Sequence, residues 1–182
     1  MLINEDRNVR FIDLFAGMGG FRIGFENACV NAGLKPECVF SSEIKPHATK
    51  IYRQNFPNEV IDGDITKIPA ENIADFDVLL AGFPYQAFSQ AGKKRGFNDI
   101  RGTLFFDIVR ILKEKRPGGF ILENVENLER HDGGNTLIVM LSILEKLNYN
   151  VNYKVLNSKE FGLAQSRERI YIGETDDVFG RL

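Results

Sequence analysis

Between Val9 and Gly173, short apolar runs that close on a glycine or an acid alternate with stretches whose apolar residues fall at helical spacing. Strands alternating with helices predict an α/β sandwich on a mainly parallel, doubly wound sheet, because each parallel strand needs a crossover to bring the chain back to the same end. In such sheets ligands gather outside the carboxyl ends of the strands. Each strand end is therefore a place to look for chemistry.

The first run, Val9 to Phe15, holds one acid, Asp13, and ends in Ala16-Gly17-Met18-Gly19-Gly20. A strand that runs into glycines and then a helix brings backbone N–H groups close to a cofactor. Phe21, Phe25, Ala28, Cys29 and Ala32 predict that helix, and Gly33 its end. Glu37 to Ser41 predicts a second strand closing on Glu43, about 23 residues beyond the glycines, near the spacing of a ribose-binding acid in nucleotide folds. Pro46 suits a first helical turn, with Ala48, Ile51, Tyr52 and Phe56 on one face. Val60-Ile61 predicts a third strand, leading to Asp64. Phe76 to Ala81 predicts a fourth, which opens onto Gly82-Phe83-Pro84-Tyr85-Gln86 and a loop carrying Ser89, Lys93, Lys94 and Arg95.

Beyond the loop, Gly102 to Arg116 predicts a helix with Leu104, Phe105, Ile108, Ile111 and Leu112 on its apolar face. Phe120 to Leu122 predicts a strand ending in Glu123, where a partly buried carboxylate needs a use or a partner. A helix over Thr136 to Leu147 follows. Val151, Tyr153 and Val155 then alternate as a half-buried strand, and Arg169 to Gly173 forms the last one, preceded by Gln165-Ser166-Arg167-Glu168.

Composition excludes several classes. A chain of 182 residues, 43% hydrophobic, supports one well-buried domain spanning 1–182. A formal charge of -2 excludes a generally basic nucleic-acid binder and leaves room for a local cationic patch. Two cysteines and two histidines make neither a disulfide framework nor a zinc site, so no metal is expected and Cys29 and Cys38 are read as reduced and buried. No apolar run reaches the length of a membrane span, and the first residues do not read as a signal peptide, so the cytoplasm is the expected compartment.

Taken in order, these motifs resemble the DNA cytosine-5 methyltransferases, and among them the bacterial restriction-modification type of which the HhaI methylase is an example. The resemblance runs from Phe11 to Gly173. It implies a Rossmann-like methyltransferase fold, S-adenosyl-L-methionine as cofactor, and double-stranded DNA with a flipped cytosine as partner. Phe15-Ala16-Gly17-Met18-Gly19-Gly20 is similar to the family's cofactor turn, Glu43 with Ile44 to its ribose acid and neighbour, and Asp64-Ile65 to its adenine contact. Gly82, Pro84 and Leu104 are the remaining cofactor positions it implies. Glu123, in Glu123-Asn124-Val125, resembles the catalytic acid that holds cytosine nitrogen 3 and the exocyclic amine, and Arg167 and Arg169 the arginines that hold the carbonyl oxygen. Gln86, Ser89, Lys93, Lys94 and Arg95 are the expected DNA contacts.

Two departures follow from the same comparison. Where the family carries its nucleophilic cysteine, this chain has Tyr85, and a phenol, with a reference pKa of about 10 against about 8.5 for a thiol, is the weaker nucleophile toward carbon. Nothing after Gly173 resembles a target-recognition domain. The expectation is a catalytic domain inactive as written, with three possible settings: a truncated enzyme, one subunit of a split enzyme completed by a second chain, or a degenerate scaffold that binds cofactor or DNA.

Overall fold

The segment Asn8–Leu14 forms a strand, β1, because its apolar residues need cover on both faces. Phe11, Ile12, Asp13 and Leu14 are all fully buried. The computed structural model describes residues 8–85 and 104–174. Gln86, Ser89, Lys93, Lys94 and Arg95, the expected DNA contacts, lie outside the described residues. The chain forms two compact units. One comprises the chain up to Gly82 with Glu114–Phe120, and the other Phe83–Lys113 with the chain from Ile121.

In the first unit β1 is flanked by β2, Lys35–Ser42, and β3, Val78–Gly82, both parallel to it. Leu14 pairs with Ser42 on one side and Ala81 on the other, so the three strands finish level and their following loops open at one end. The β1–β2 register slips between Phe11 and Ile12, a bulge that sets which β2 residue stands beside the glycine turn. Helix α1, Gly20–Asn31, starts directly from that turn, and Gly33 just beyond it takes φ 74, a conformation only glycine adopts at low cost. Helix α2, Pro46–Asn55, begins on Pro46 as its sequence predicts.

Three expectations are corrected here. Val60-Ile61 is no strand: Val60 is exposed, Ile61 is in the core, and only a single bridge, Ser42 to Asp62, pairs the segment with β2. Ala28 of α1 and Ala32 just past its end face solvent while Arg22 is buried, because the inner face of that helix is completed by a charge. Ile51 of α2 is exposed, and Ala48 and Tyr52 are the residues that α2 buries.

Helix α3, Leu104–Lys115, all but its last two residues in the second unit, buries Phe105, Ile108, Ile111 and Leu112, the face that its spacing predicts. Strand β4, Gly119–Val125, alternates strictly: Phe120, Leu122 and Asn124 are buried, and Ile121, Glu123 and Val125 half-buried on the other face. Helix α4, Asn135–Glu145, buries Thr136, Leu137, Met140 and Leu144. The last two strands are β5, Val151–Asn157, and β6, Glu168–Glu174. β6 runs antiparallel to both β4 and β5, so those two share a direction and β6 alone opposes them. Tyr153 is exposed, so the expected alternation of β5 does not hold. The class is the expected one, α/β with mainly parallel strands.

Candidate active site

The glycine turn is shaped by what flanks it. Phe15 takes φ 57, a left-handed conformation that costs a bulky residue about 1–2 kcal/mol. The next residue offsets part of this, because Ala16 N–H donates to the carbonyl of Ser42 at 3.0 Å. Gly17 and Gly19 also have positive φ, 56° and 87°. At Gly17 a side chain would meet open space, whereas at Gly19 a Cβ would collide with the Phe56 ring. Gly19 is there because α2 presses on it, and Gly17 because the backbone must curl with its N–H turned inward.

That N–H has a definite partner. Gly17 donates to Glu43 Oε2 at 2.9 Å, and Lys45 N–H donates to Oε1 of the same carboxylate at 2.8 Å. Glu43 is 9% exposed, and two charge-assisted bonds of this kind hold it in one orientation while each oxygen keeps a further lone pair. Ile44 beside it, and Met18 on the turn, are exposed apolar side chains. Asp64 accepts from both the N–H and the hydroxyl of Thr66, which hold its pKa below the usual carboxylate range. It caps a short 3-10 turn, and Ile65 is packed in the core. Gly82 lies at the end of β3, Pro84 is exposed and Leu104 half-buried at the start of α3.

In the second unit the strand pairing brings the acid and an arginine together. Glu123 sits opposite Tyr171 and Val125 opposite Arg169, so Glu123, Arg169 and Tyr171 share one face of the β4–β6 ladder. Arg169 Nε lies 2.8 Å from Glu123 Oε1, with both side chains about four-fifths covered. Burial pushes the Tyr171 phenol up, and the neighbouring Glu123 charge adds to this. Arg167, Arg169 and Tyr171 line one wall of a cleft of about 310 Å³ whose other walls include Leu156, Phe161 and Leu163. Arg167 stands exposed at this cleft.

Tyr85 is half-buried beside a group that its own sequence neighbourhood did not suggest. Asn127 Nδ2 donates to its hydroxyl at 2.8 Å, and the His131 ring stands perpendicular to it at a centroid distance of 5.6 Å. His131 Nδ1 in turn lies 2.6 Å from Thr136 Oγ1. The start of this loop is tied down by Asn124, 2% exposed, whose amide donates to the Phe83 carbonyl at 3.0 Å. Asn157 performs a similar service for the arginine segment: its Oδ1 accepts from the N–H groups of Lys159 and Arg167, and its Nδ2 donates to Ser166 and Glu168. Asn124 and Asn157 are buried amides at strand ends, and that position was the available clue to them.

The buried acid Asp13 also went unassigned. It is fully buried two residues before Phe15, and neither carboxyl oxygen has a hydrogen-bond partner among the described residues. Burial raises its pKa to about 7, against the lowering effect of the Arg22 charge. Cys29 lies buried on α1 and Cys38 half-buried on β2, both as free thiols whose pKa burial raises.

Comparison with known proteins agrees with this architecture. The solved structure of the S. pombe Dnmt2 methyltransferase superposes with a TM-score of 0.70 at 20% identity, covering 93% of this chain and 50% of that one. A putative DNA modification methyltransferase from an E. coli prophage gives 0.69 at 21% identity, covering 96% and 49%. The fold is thus the Rossmann-like fold of S-adenosylmethionine-dependent methyltransferases. Residues 9–177 match the C-5 cytosine-specific DNA methylases, and the chain belongs to that family. It is 59% identical over 173 residues to the Type II methyltransferase M.NgoBV of Neisseria gonorrhoeae and 55% identical over 163 residues to M1.ScrFI of Lactococcus lactis. Those alignments cover 91% and 90% of this chain and 41% and 40% of the relatives, so the chain spans about two fifths of their length. Among the described residues no helix is long and apolar enough to cross a membrane.

Proposed function

We propose that this chain is a catalytic domain of a DNA (cytosine-5-)-methyltransferase that binds S-adenosyl-L-methionine and does not turn over as written. The observation that carries the reading is the Glu123–Arg169 pair at 2.8 Å on one face of the β4–β6 ladder, with Arg167 on the adjoining cleft. A carboxylate and two guanidinium groups match the edge of cytosine, whose exocyclic amine donates and whose carbonyl oxygen accepts.

The first unit suits the cofactor. Glu43 has spare lone pairs for a ribose diol after its two backbone bonds, and exposed Ile44 and Met18 offer apolar cover for an adenine. The open space at Gly17 leaves the backbone approachable. When bound, the cofactor supplies an electrophilic methyl group on a sulfonium. Glu43 and the turn then hold it, and Glu123 with the arginines holds the base that leaves the duplex at a cost of a few kcal/mol.

Position 85 is where the reaction is expected to stop. In the family a thiolate there adds to carbon 6 of cytosine and makes carbon 5 nucleophilic. A tyrosine hydroxyl that already accepts a hydrogen bond from Asn127, on a ring stacked edge-on to His131, is a poor substitute. That accommodation of the phenol favours a second reading, a scaffold that keeps cofactor or DNA binding without catalysis, whether alone or with a second chain. Calorimetric titration with S-adenosylmethionine, paired with a methyl-transfer assay on cytosine DNA, tests both. Saturable binding lost in Glu43→Ala, with no transfer, is expected; transfer by the unaltered chain overturns inactivity, and no binding at all overturns the cofactor reading.

A further inference from the structure

A buried arginine ties the cofactor turn to the rest of the first unit. Arg22 is 5% exposed, and each nitrogen of its guanidinium donates: Nε to Glu26 at 2.7 Å, Nη1 to the Tyr52 hydroxyl at 2.9 Å and Nη2 to Glu59 at 3.0 Å. Its flat face lies 3.9 Å over the Phe56 ring. Burial alone would lower its pKa, but the bonds to Glu59, Tyr52 and Glu26 outweigh this and hold it firmly charged. Removing a guanidinium from water costs several kcal/mol, so an arginine kept here needs all of these partners.

Two of these partners, Phe56 and Tyr52, lead back to the turn. The Phe56 ring that Arg22 covers is the surface against which Gly19 packs. Tyr52 passes the connection on: its hydroxyl lies 2.6 Å from Ser41 Oγ, two residues before Glu43, and burial pushes its pKa up to about 12. Between Tyr52 and Phe56 on the same helix end, Asn55 Nδ2 donates to the Met18 carbonyl at 2.9 Å. Glu43 then closes the loop by accepting the Gly17 N–H. α1, α2, β2 and the glycine turn are thus tied together by hydrogen bonds and short stretches of chain, with Arg22 linking α1 to α2.

We propose that Arg22 is a positioning residue for cofactor binding: through Tyr52 and Phe56 it fixes the path of Met18–Gly19 and the separation of Gly17 from Glu43. The inference rests on the reading of this turn as the S-adenosylmethionine site, and its test includes a readout that needs no ligand. A lysine has one compact ammonium and cannot stack on Phe56 while bonding three acceptors, so Arg22→Lys keeps the charge and loses the geometry.

The experiment compares the 182-residue chain with Arg22→Lys, Arg22→Met and the milder Tyr52→Phe, measuring amide hydrogen exchange at Gly17 and the affinity for S-adenosylhomocysteine. Expected are faster Gly17 exchange in all three, relative to the core amides of β1, and affinity about tenfold weaker in both Arg22 variants, the loss of one or two charged hydrogen bonds. Tyr52→Phe should fall between these and the parent. Full rescue by lysine shows that only charge matters and overturns the proposal. So does a general loss of protection in which Gly17 changes no more than the β1 core, or unchanged Gly17 exchange in Tyr52→Phe should the Arg22 variants fail to fold. A parent chain that binds no S-adenosylhomocysteine overturns the cofactor reading instead, and Gly17 exchange still decides whether Arg22 shapes the turn.

Discussion

The glycine turn after β1 and the segment after β3 both begin where a parallel strand ends, yet they are built differently. The turn is held by backbone and side-chain bonds from Ser42 and Glu43 at the end of β2 and from Asn55 of α2, and two glycines at positive φ let it take that path. The Tyr85 segment is held by a few long-range contacts to side chains from the end of β4 and just beyond it: Asn124 on the Phe83 carbonyl, Asn127 on the phenol, and His131 on its ring. On the proposed reading, the cofactor site is tied down by near neighbours, and the site for the larger partner is assembled from separate pieces of chain.

The largest effect expected from this contrast is on chemistry at position 85. Joined to the remaining length of a relative such as M.NgoBV, the Tyr85→Cys chain should transfer methyl groups to cytosine DNA at least about a thousandfold faster than the same fusion with Tyr85, as a thiolate replaces a phenol. Equal inactivity of both fusions would mean that the second unit has decayed beyond its nucleophile. The contrast then makes Tyr85→Cys nearly neutral for stability.

In the first unit the expected effects are on folding. Gly19→Ala should cost about 2–3 kcal/mol in urea unfolding, from strain at φ 87 plus collision with Phe56, while Gly17→Ala, strained but sterically free, should cost about 1 kcal/mol. Similar costs at the two positions would break the claim that α2 packing shapes the turn.

Asp13 offers a test by pH. Its folded pKa of about 7 lies above the unfolded value of about 3.9, so the native chain keeps a proton that the unfolded chain has released. Stability should therefore fall as pH rises from about 4 to about 7 and level off beyond. Melting temperatures for the parent and Asp13→Asn across that range should converge toward higher pH or cross, with the asparagine variant showing the shallower decline. Parallel curves would mean that Asp13 stays charged through a partner.

The smallest effect belongs to the acid–arginine pair. Arg169→Ala leaves Glu123 partly covered without its cation and should destabilise by about 1 kcal/mol, since both groups keep some contact with water. A much larger shift in the urea midpoint would show the pair to be a structural cornerstone rather than a poised recognition group.

Much of this was legible along the chain. Strand ends, the glycine turn, the helix starting at Pro46 and the acid at Glu123 follow from short-range rules: alternation, helical spacing, turn chemistry. They need only a few neighbouring residues. The misread third strand, Val60-Ile61, shows the limit, because two apolar residues cannot say whether they pair or only pack. Arg22 shows it more sharply. In sequence it is a polar residue on an amphipathic helix, and its burial is decided by Tyr52 and Glu59, thirty and thirty-seven positions later. The same holds for Asn124, Asn127, His131 and Asn157, whose partners lie across loops or on other strands.

What the sequence determined by itself was therefore the family, the class of fold and the identity of the groups at each strand end, including the tyrosine at position 85. Only the tertiary structure decided which groups meet: that Glu123 pairs with Arg169, that Glu43 holds Gly17, and that the buried Arg22 bonds Glu26, Tyr52 and Glu59. The physical reason is that hydrogen bonds and ion pairs are short and directional, so their partners are fixed by strand register and helix docking, which no local pattern of residues specifies.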